Sequence, residues 1–177
     1  DPRAFYMPER VDASLLWLSG TGYVEYDFAN PLPPGVRLDE LIFSAELCSE
    51  APSFRDRWPS DITLLINDKP VGTWTSPGDF GDRKGKLTPD KWRMGTEYGR
   101  LTEWKITSAG SFVNGTPSAP ATIGDLGLAF DKPVRVRLEV RADAPNANGF
   151  NLFGSAFGDH PQDLVLAFVR HLDGGNG

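Results

Sequence analysis

Short segments in which apolar and polar side chains alternate dominate this chain, and almost no stretch of about ten residues shows the period of an amphipathic helix. In residues 23–28, Val24, Tyr26 and Phe28 share one face while acidic side chains occupy the other. Strand side chains point alternately to two faces, so this pattern is typical of a half-buried strand. Residues 134–140 show the same alternation. The period of two predicts an all-β chain.

Further segments of this kind follow one another along the chain. They are residues 15–18, 41–47, 62–66, 71–75 and 164–169. Asn67-Asp68-Lys69-Pro70 lies between two of these segments and is typical of a hairpin turn, and a second hairpin is expected at Asn114-Gly115. The last segment is apolar on both faces, which predicts a central strand covered on both sides.

The absence of helical stripes decides how these strands are expected to pack. Parallel strands need helices to cover the sheet, so the segments predict two packed antiparallel sheets. We therefore predict an antiparallel β-sandwich of jelly-roll type with few or no helices, and a closed barrel is the alternative.

The length of 177 residues predicts one globular domain. The sequence opens on Asp1 without an initiator methionine, so we expect residues 1–12 to lead in from an upstream domain outside this chain. Residues 13–170 are expected to form the sandwich. Residues 171–177 are rich in glycine and are expected to form a flexible tail.

The charge balance argues against two classes of partner. With 24 acidic against 18 basic side chains and a net charge of −6, the chain is not expected to bind DNA phosphates or anionic lipid itself. No segment approaches the ~20 apolar residues of a membrane span, and the N-terminus lacks the pattern of a signal peptide. We therefore expect a cytoplasmic protein without membrane contact.

The motifs of common catalytic and metal sites are absent from the sequence. His160 and His171 stand in no metal-binding spacing, and there is no nucleophile elbow and no glycine-rich phosphate or dinucleotide motif. Cys48, the single cysteine, follows an apolar strand and is predicted to be a small buried side chain. We expect no enzyme activity, no metal and no cofactor.

A glycosidase of jelly-roll form is an alternative, because such an enzyme needs two carboxylates across a cleft. The candidate carboxylates are Glu46, Glu50, Asp61, Glu97 and Glu103. Most of them are expected at outward strand positions, which favours a structural role.

Residues 76–99 lack the rhythm of strands, and long ordered loops of that kind are usually binding loops or lids. A pocket for a small polar molecule such as a sugar needs ring faces for stacking and fixed polar groups that orient hydroxyls. We predict such a cleft between residues 58–61, 76–98 and 149–160. The predicted ligand-binding residues are Trp58, Asp61, Asp79, Phe80, Arg83, Trp92, Tyr98 and Asn151.

Each of these side chains also has a structural interpretation. The loop aromatics are equally suited to pin the loop to the sandwich, and Trp58, which precedes a proline, is as often a loop plug as a stacking surface. Residues 149–158 fit a strand followed by a tight corner, with glycines supplying positive φ.

Four phrases of the sequence stand out together. They are WPSDIT at 58–63, GTWTSPGDFG at 72–81, GKLTP at 85–89 and NLFGSAFGD at 151–159, the last followed by Gln162-Asp163. They resemble the C-terminal domain of ArsR-like bacterial transcriptional regulators, in which an N-terminal winged helix binds DNA. The likeness runs from about residue 7 to residue 168. The thiolate-rich metal motifs of metal-sensing relatives are missing, so metal sensing is not expected.

The resemblance implies that the chain is the effector domain of a cytoplasmic regulator that contacts DNA only through a domain outside this chain. Such regulators match two-fold operators, so a homodimer is expected. We predict that the domain senses a small polar molecule, for which the jelly-roll form and aromatic loops suggest a carbohydrate. The alternatives are a carbohydrate-binding module or glycosidase-related jelly roll, and a dimerisation scaffold without ligand.

Overall fold

The structure is a computed structural model that describes residues 14–93 and 95–170, so the predicted lead-in 1–12 and tail 171–177 lie outside the described residues. Eleven strands and one short 3-10 helix, Ile123–Leu126, are present in the described part. The strands are Leu15–Leu18 (β1), Gly22–Phe28 (β2), Glu40–Cys48 (β3), Ser60–Ile66 (β4), Lys69–Ser76 (β5), Arg100–Thr107 (β6), Gly110–Val113 (β7), Thr116–Ala119 (β8), Val134–Val140 (β9), Phe150–Phe153 (β10) and Val165–Val169 (β11).

The strands form two antiparallel sheets that pack face to face. The large sheet has the order β1-β10-β3-β6-β7-β8, with β11 also pairing with β3, and the small sheet has the order β2-β9-β4-β5. Strands β1 to β4 alternate between the two sheets, which is the jelly-roll arrangement. The predicted all-β sandwich is confirmed, and the alternative of a closed barrel is wrong.

Inward side chains of the alternating strands make one core between the sheets. On β3, Leu41, Phe43 and Leu47 are fully buried, and they share a cluster with Val136 and Leu138 of β9. Burying one such side chain stabilises the fold by ~1.5–3 kcal/mol, so the alternation seen in the sequence supplies the main driving force.

Both predicted hairpins are present. Asn67 and Asp68 join β4 to β5 with φ values of 47° and 64°. Positive φ at both central residues is the turn geometry that matches the twist of the flanking strands, and Asn and Asp tolerate it. Asn114 and Gly115 join β7 to β8 in the same way.

Strand β11 differs from its prediction. It pairs with β3 alone, and Val165 is 41% exposed while the other four residues are half-buried. The prediction of a central strand covered on both sides is wrong. Leu166 and Phe168 pack on the core, but the alternate residues lie on the outer face of the large sheet, where an apolar side chain need not be covered.

The outer face of the large sheet is covered at one end. Glu46 lies there, since its neighbours along β3 point into the core, yet it is only 1% exposed. The cover is three loops, residues 49–59, 77–99 and 154–164, which we call the cap. The predicted long irregular loop is confirmed: its described residues hold only two isolated bridges, Arg55–Asp79 and Phe80–Tyr98.

The two sides of the sandwich differ. On one side β5 of the small sheet lies against β7 and β8 of the large sheet. On the other side the edge strands are β1 and β2, one from each sheet. We call the gap between β1 and β2 the seam.

Candidate functional site

Glu46 fastens two parts of the cap to β3. Its Oε1 accepts the backbone N–H groups of Gly99 and Asp159, each at 2.8 Å, and its Oε2 accepts the N–H of His160 at 2.8 Å. Glu46 has the outward strand position that the sequence predicts, and the cap buries it there. Loop backbone takes the place of water around this carboxylate, which is how a buried charge is tolerated.

Asp79 fastens the long loop to the end of β3. Its buried carboxylate accepts the N–H of Ala51 and the hydroxyl of Thr96, each at 3.0 Å, and lies 3.7 Å from the Cys48 thiol. Burial raises the pKa of Asp79 to about 6, although the hydrogen bonds from Ala51, Thr96 and Cys48 act in the opposite direction. Burial also raises the pKa of the Cys48 thiol, and the predicted burial of this cysteine is confirmed.

Trp58 and Asp61 join neighbouring loops in the same region. The indole N–H of Trp58 donates to the carbonyl of Glu50 at 2.8 Å. Asp61 accepts the hydroxyl of Thr75 at 2.7 Å, and both the N–H and the side-chain amide of Asn146 at 3.0 and 3.1 Å. The polar groups of both predicted residues are thus engaged with other parts of the chain.

The three loop aromatics pack inside the cap. Phe80 stacks on Tyr98 with ring centroids 5.3 Å apart, and Trp92 meets Phe157 edge to face at 5.0 Å. With Phe153 they belong to a second hydrophobic cluster beneath the long loop. The sequence allowed these aromatics either to bind a ligand or to attach the loop to the sandwich. The packing of all three agrees with the second interpretation.

Arg83 links two loops of the cap, residues 77–99 and 154–164, at the surface. Its guanidinium lies 3.6 Å from the centroid of the Tyr98 ring and donates to both carboxylate oxygens of Asp159, at 3.1 Å to Oδ1. The Arg83 guanidinium holds the pKa of Asp159 below its ordinary value. Burial raises the pKa of Tyr98 to about 12, and the hydrogen bond that Tyr98 donates to Asp82 adds to this shift.

Asn151, the last of the predicted residues, is buried in β10, where its amide donates to the carbonyl of Ser49 at 2.9 Å. Among the eight predicted residues, Trp92 lines a hollow of about 360 Å³ with Pro89, Lys91 and Arg93. The other seven are not among the residues that line three larger cavities of about 490 to 520 Å³. The structure therefore places seven of the predicted residues in the cap or in contact with it, whereas Asp61 joins β4 to Thr75 and Asn146, outside the cap.

A cavity of about 520 Å³ lies at the seam, and we call it the seam cavity. Its lining residues are Leu15, Leu16, Trp17, Tyr26, Leu152, Phe153, Gly154, Asp163 and Leu164. Trp17 is 57% exposed, which is high for so large an apolar side chain. The volume lies within the range of roughly 300–1,000 Å³ that is typical of small-molecule sites. The combination of apolar walls with one polar group is also typical of such sites.

The strand arrangement explains this cavity. Strands β10 and β11 lie one after the other along the same edge of β3: Phe153 pairs with Glu46, and Val165 pairs with Ser44. The chain between them loops out into the cap. Strand β1 runs only beside β10, so a notch remains next to the start of β11. Nothing in the sequence marks a cavity here, because its lining residues in β1, β2 and β10 have the side chains expected of ordinary strands.

A second cavity, of about 490 Å³, lies at the opposite end of the sandwich from the cap, and we call it the end cavity. It lies between residues 30–38 and 122–130, and Arg37 is the one charged residue among its described lining residues. The amide of Asn30 donates to the carbonyl of Ala129 at 2.9 Å and holds the two segments together.

Within residues 14–93 and 95–170, no group of three or more His, Cys, Asp or Glu side chains is arranged to hold a metal ion. Nor does that part of the chain contain a helix long and apolar enough to cross a membrane.

Comparison of the chain with protein-family models, with curated proteins and with solved structures finds no match. The resemblance to ArsR-like regulators therefore stays a prediction from the sequence phrases.

Proposed function

We propose that this chain is a ligand-binding regulatory domain with no catalytic role, and that a small molecule enters the seam cavity. The observation that carries the proposal is the cavity itself, about 520 Å³ with mainly apolar walls and the exposed indole of Trp17 at its rim. Concave apolar sites with a few polar groups are where small molecules bind. In and beside the cap, by contrast, the polar groups of Glu46, Asp61 and Asp79 already accept hydrogen bonds from the chain.

The regulatory part of the proposal rests on the resemblance to ArsR-like transcriptional regulators of the cytoplasm. An acidic domain with a net charge of −6 is suited to leave DNA contact to a separate winged helix. Strand β1, which lines the seam cavity, is the first described strand, so the ligand would contact the strand nearest in sequence to an N-terminal domain. Binding regulates only if the ligand favours one arrangement of the attached domains over another.

The proposal includes a homodimer of the full-length regulator, because two DNA-binding domains match a two-fold operator. Light scattering of the full-length protein tests this part, with a dimer expected. A monomeric mass would contradict it. The gene offers a second test, since a winged helix is expected upstream in the same reading frame.

A carbohydrate-binding module is the second candidate, and the observation that favours it is again Trp17. A solvent-exposed indole offers an apolar face on which sugar rings stack. Retention of the protein on immobilised polysaccharide, reversed by Trp17→Ala, would favour this candidate over a sensor of small molecules.

Thermal unfolding against a compound panel tests the main proposal. The panel holds mono- and oligosaccharides, sugar phosphates, aromatic amines, alcohols and acids, and divalent metals. A ligand at a hundred times its dissociation constant adds about 2.7 kcal/mol to the stability of the folded state. We expect at least one organic compound to raise the unfolding temperature.

Two variants locate the binding. The shift is expected to disappear in Trp17→Ala, at the seam, and to persist in Arg83→Ala, at the surface of the cap. A shift that depends on Arg83 but not on Trp17 would place the ligand at the cap and contradict the proposal. No shift with any compound would favour a dimerisation scaffold without ligand.

A further inference from the structure

We propose that the seam cavity takes an organic cation, an amine with an aromatic or aliphatic body whose ammonium group is held by Asp163. The inference rests on the proposed function and deepens it, since it names the class of ligand for the same cavity. Three features of the cavity carry it: one unpaired carboxylate, the placement of that carboxylate, and the aromatic groups in the lining.

Among the residues that the structure describes, Asp163 is the only charged one that lines the seam cavity. Its Oδ1 accepts the backbone N–H of Ser155 at 2.9 Å. Within the described ranges, no donor bonds to its Oδ2, and no Lys, Arg or His side chain forms an ion pair with it. The contrast is with Asp159 a few residues earlier, whose carboxylate is occupied by Arg83.

The carboxylate is held at a fixed place at the edge of the cavity. A Cβ atom added at Gly154 would lie 3.2 Å from Oδ1 of Asp163 and 3.3 Å from the carbonyl oxygen of Ser14. The carboxylate therefore packs against the backbone where β10 ends, and the N–H of Gly154 donates to that same Ser14 carbonyl at 2.8 Å. A group fixed before binding loses little entropy when the ligand arrives.

Aromatic side chains line the same cavity as this carboxylate. Trp17, Tyr26 and Phe153 line the cavity together with Asp163. Aromatic faces attract cations through their quadrupole, and the indole is the strongest of the three kinds. An ammonium group is thus favoured twice, by the free carboxylate oxygen and by the rings. The leucines of the lining offer apolar surface to the body of the molecule.

The sign of the charge separates this cavity from the end cavity. There the charged lining residue is Arg37, which favours an anion. In the seam cavity, an uncharged molecule of the same shape is attracted neither by the Asp163 carboxylate nor by the aromatic quadrupoles. A ligand that carries a carboxylate is repelled by Asp163. The affinities of compounds that share one shape and differ in charge therefore show whether the seam cavity prefers a cation.

The test is the affinity of the chain for 2-phenylethylamine, 2-phenylethanol and phenylacetate, measured by calorimetry at pH 7 and low salt. One exposed ion pair and one cation–π contact together predict that the amine binds about five- to tenfold more tightly than the alcohol. Phenylacetate is expected to bind more weakly than either. Added salt is expected to reduce the advantage of the amine.

The substitution Asp163→Asn keeps the shape of the side chain and removes its charge. We expect it to reduce the advantage of the amine over the alcohol to about two- to threefold, the part that one exposed cation–π contact supplies, and to leave the affinity for the alcohol unchanged. Asp131→Asn is the matched control, since it removes one exposed carboxylate outside the seam cavity at a position with φ of 61° that Asn tolerates. The control is expected to keep the preference for the amine.

Equal affinity for the amine and the alcohol would overturn the inference and leave the proposed ligand site standing. So would a preference for the amine that is as large in Asp163→Asn as in the unchanged chain. If none of the three compounds binds, the inference is overturned, and the thermal panel alone then decides the proposed function.

Discussion

The cap and the seam use the same kinds of side chain in opposite ways. In the cap, Glu46 and Asp79 are buried carboxylates whose oxygens accept backbone and hydroxyl donors, and Trp92 packs edge-on to Phe157. At the seam, a carboxylate oxygen of Asp163 is free among the described residues and the indole of Trp17 faces solvent. Aromatics and carboxylates in a loop therefore do not by themselves mark a binding site.

The reason for the difference is the cost of ordering an irregular loop. Fixing each backbone residue costs about 1–2 kcal/mol in conformational entropy, and a loop has no ladder of hydrogen bonds to offset it. The loop of residues 77–99 is long, so it needs buried anchors of its own. The seam cavity is bordered mainly by β1, β2 and β10, whose backbone is ordered by the sheets. Asp163 lies at the end of the third cap loop, next to the start of β11, so its carboxylate is not needed as a buried anchor of that loop.

The largest expected effect belongs to Glu46 and tests whether the cap depends on its buried carboxylates. In Glu46→Ala the N–H groups of Gly99, Asp159 and His160 lose their acceptor inside the protein. Each unsatisfied buried group costs about 1–3 kcal/mol, so unfolding in urea should show a loss of at least about 3 kcal/mol. Glu103→Ala, at an outward and partly exposed position of β6, should stay within about 0.5 kcal/mol. Similar losses of unfolding free energy in Glu46→Ala and Glu103→Ala would show that the cap does not depend on the buried Glu46 carboxylate.

The second prediction is a pH dependence that comes from Asp79. Its pKa of about 6 in the folded chain lies above the ordinary value of 3.8, so the folded state binds this proton more tightly. The stabilisation is complete below the unfolded-state value and is lost as the pH rises through about 6. Between pH 7 and pH 5 the chain should gain about 1.4 kcal/mol relative to Asp79→Asn, which lacks the group. Parallel pH profiles of the two proteins would contradict this account of the cap.

A smaller effect is expected at the rim of the cap. Arg83→Ala removes the contacts with Asp159 and Tyr98, but the Arg83 side chain is 48% exposed. Exposed ion pairs contribute up to about 1 kcal/mol and are screened by salt. We expect a loss of about 1 kcal/mol or less in denaturant titrations, decreasing at high salt. A loss as large as that of Glu46→Ala would show that the anchoring is not confined to buried groups.

The smallest effect on stability is expected at the seam. Trp17→Ala removes an indole that is largely exposed, so the free energy of unfolding should change by less than about 0.5 kcal/mol. The same substitution should abolish the thermal shift caused by a ligand of the seam cavity. A large loss of stability would mean that Trp17 serves the fold, as the cap aromatics do.

Local patterns in the sequence were sufficient to predict most of the strands and both hairpins. The alternation of residues 134–140 and the turn residues Asn67 and Asp68 act within a few positions of the chain, and the structure has them as predicted. Strand β11 was placed wrongly because apolar character on both faces says nothing about what covers each face.

The burial of Glu46 and the seam cavity could not be predicted from the sequence, because both arise from contacts between distant parts of the chain. Glu46 is buried by residues 99, 159 and 160, and no pattern around position 46 contains that information. The seam cavity arises where β1 and β10 end before β11 begins, so it is a property of register and not of residue type. The segments between which a ligand cleft was predicted, residues 58–61, 76–98 and 149–160, lie mostly in the cap.

The most direct test of the account follows the indole N–H signals of the five tryptophans in a nitrogen–proton correlation spectrum during titration with 2-phenylethanol and 2-phenylethylamine. The indole groups of Trp58 and Trp92 bond to backbone carbonyls in the cap, whereas Trp17 lies at the seam. The variant Trp17→Phe assigns the signal. The account predicts that the Trp17 signal shifts saturably while those of Trp58 and Trp92 stay in place. Movement of the cap signals with a stationary Trp17 signal would contradict it.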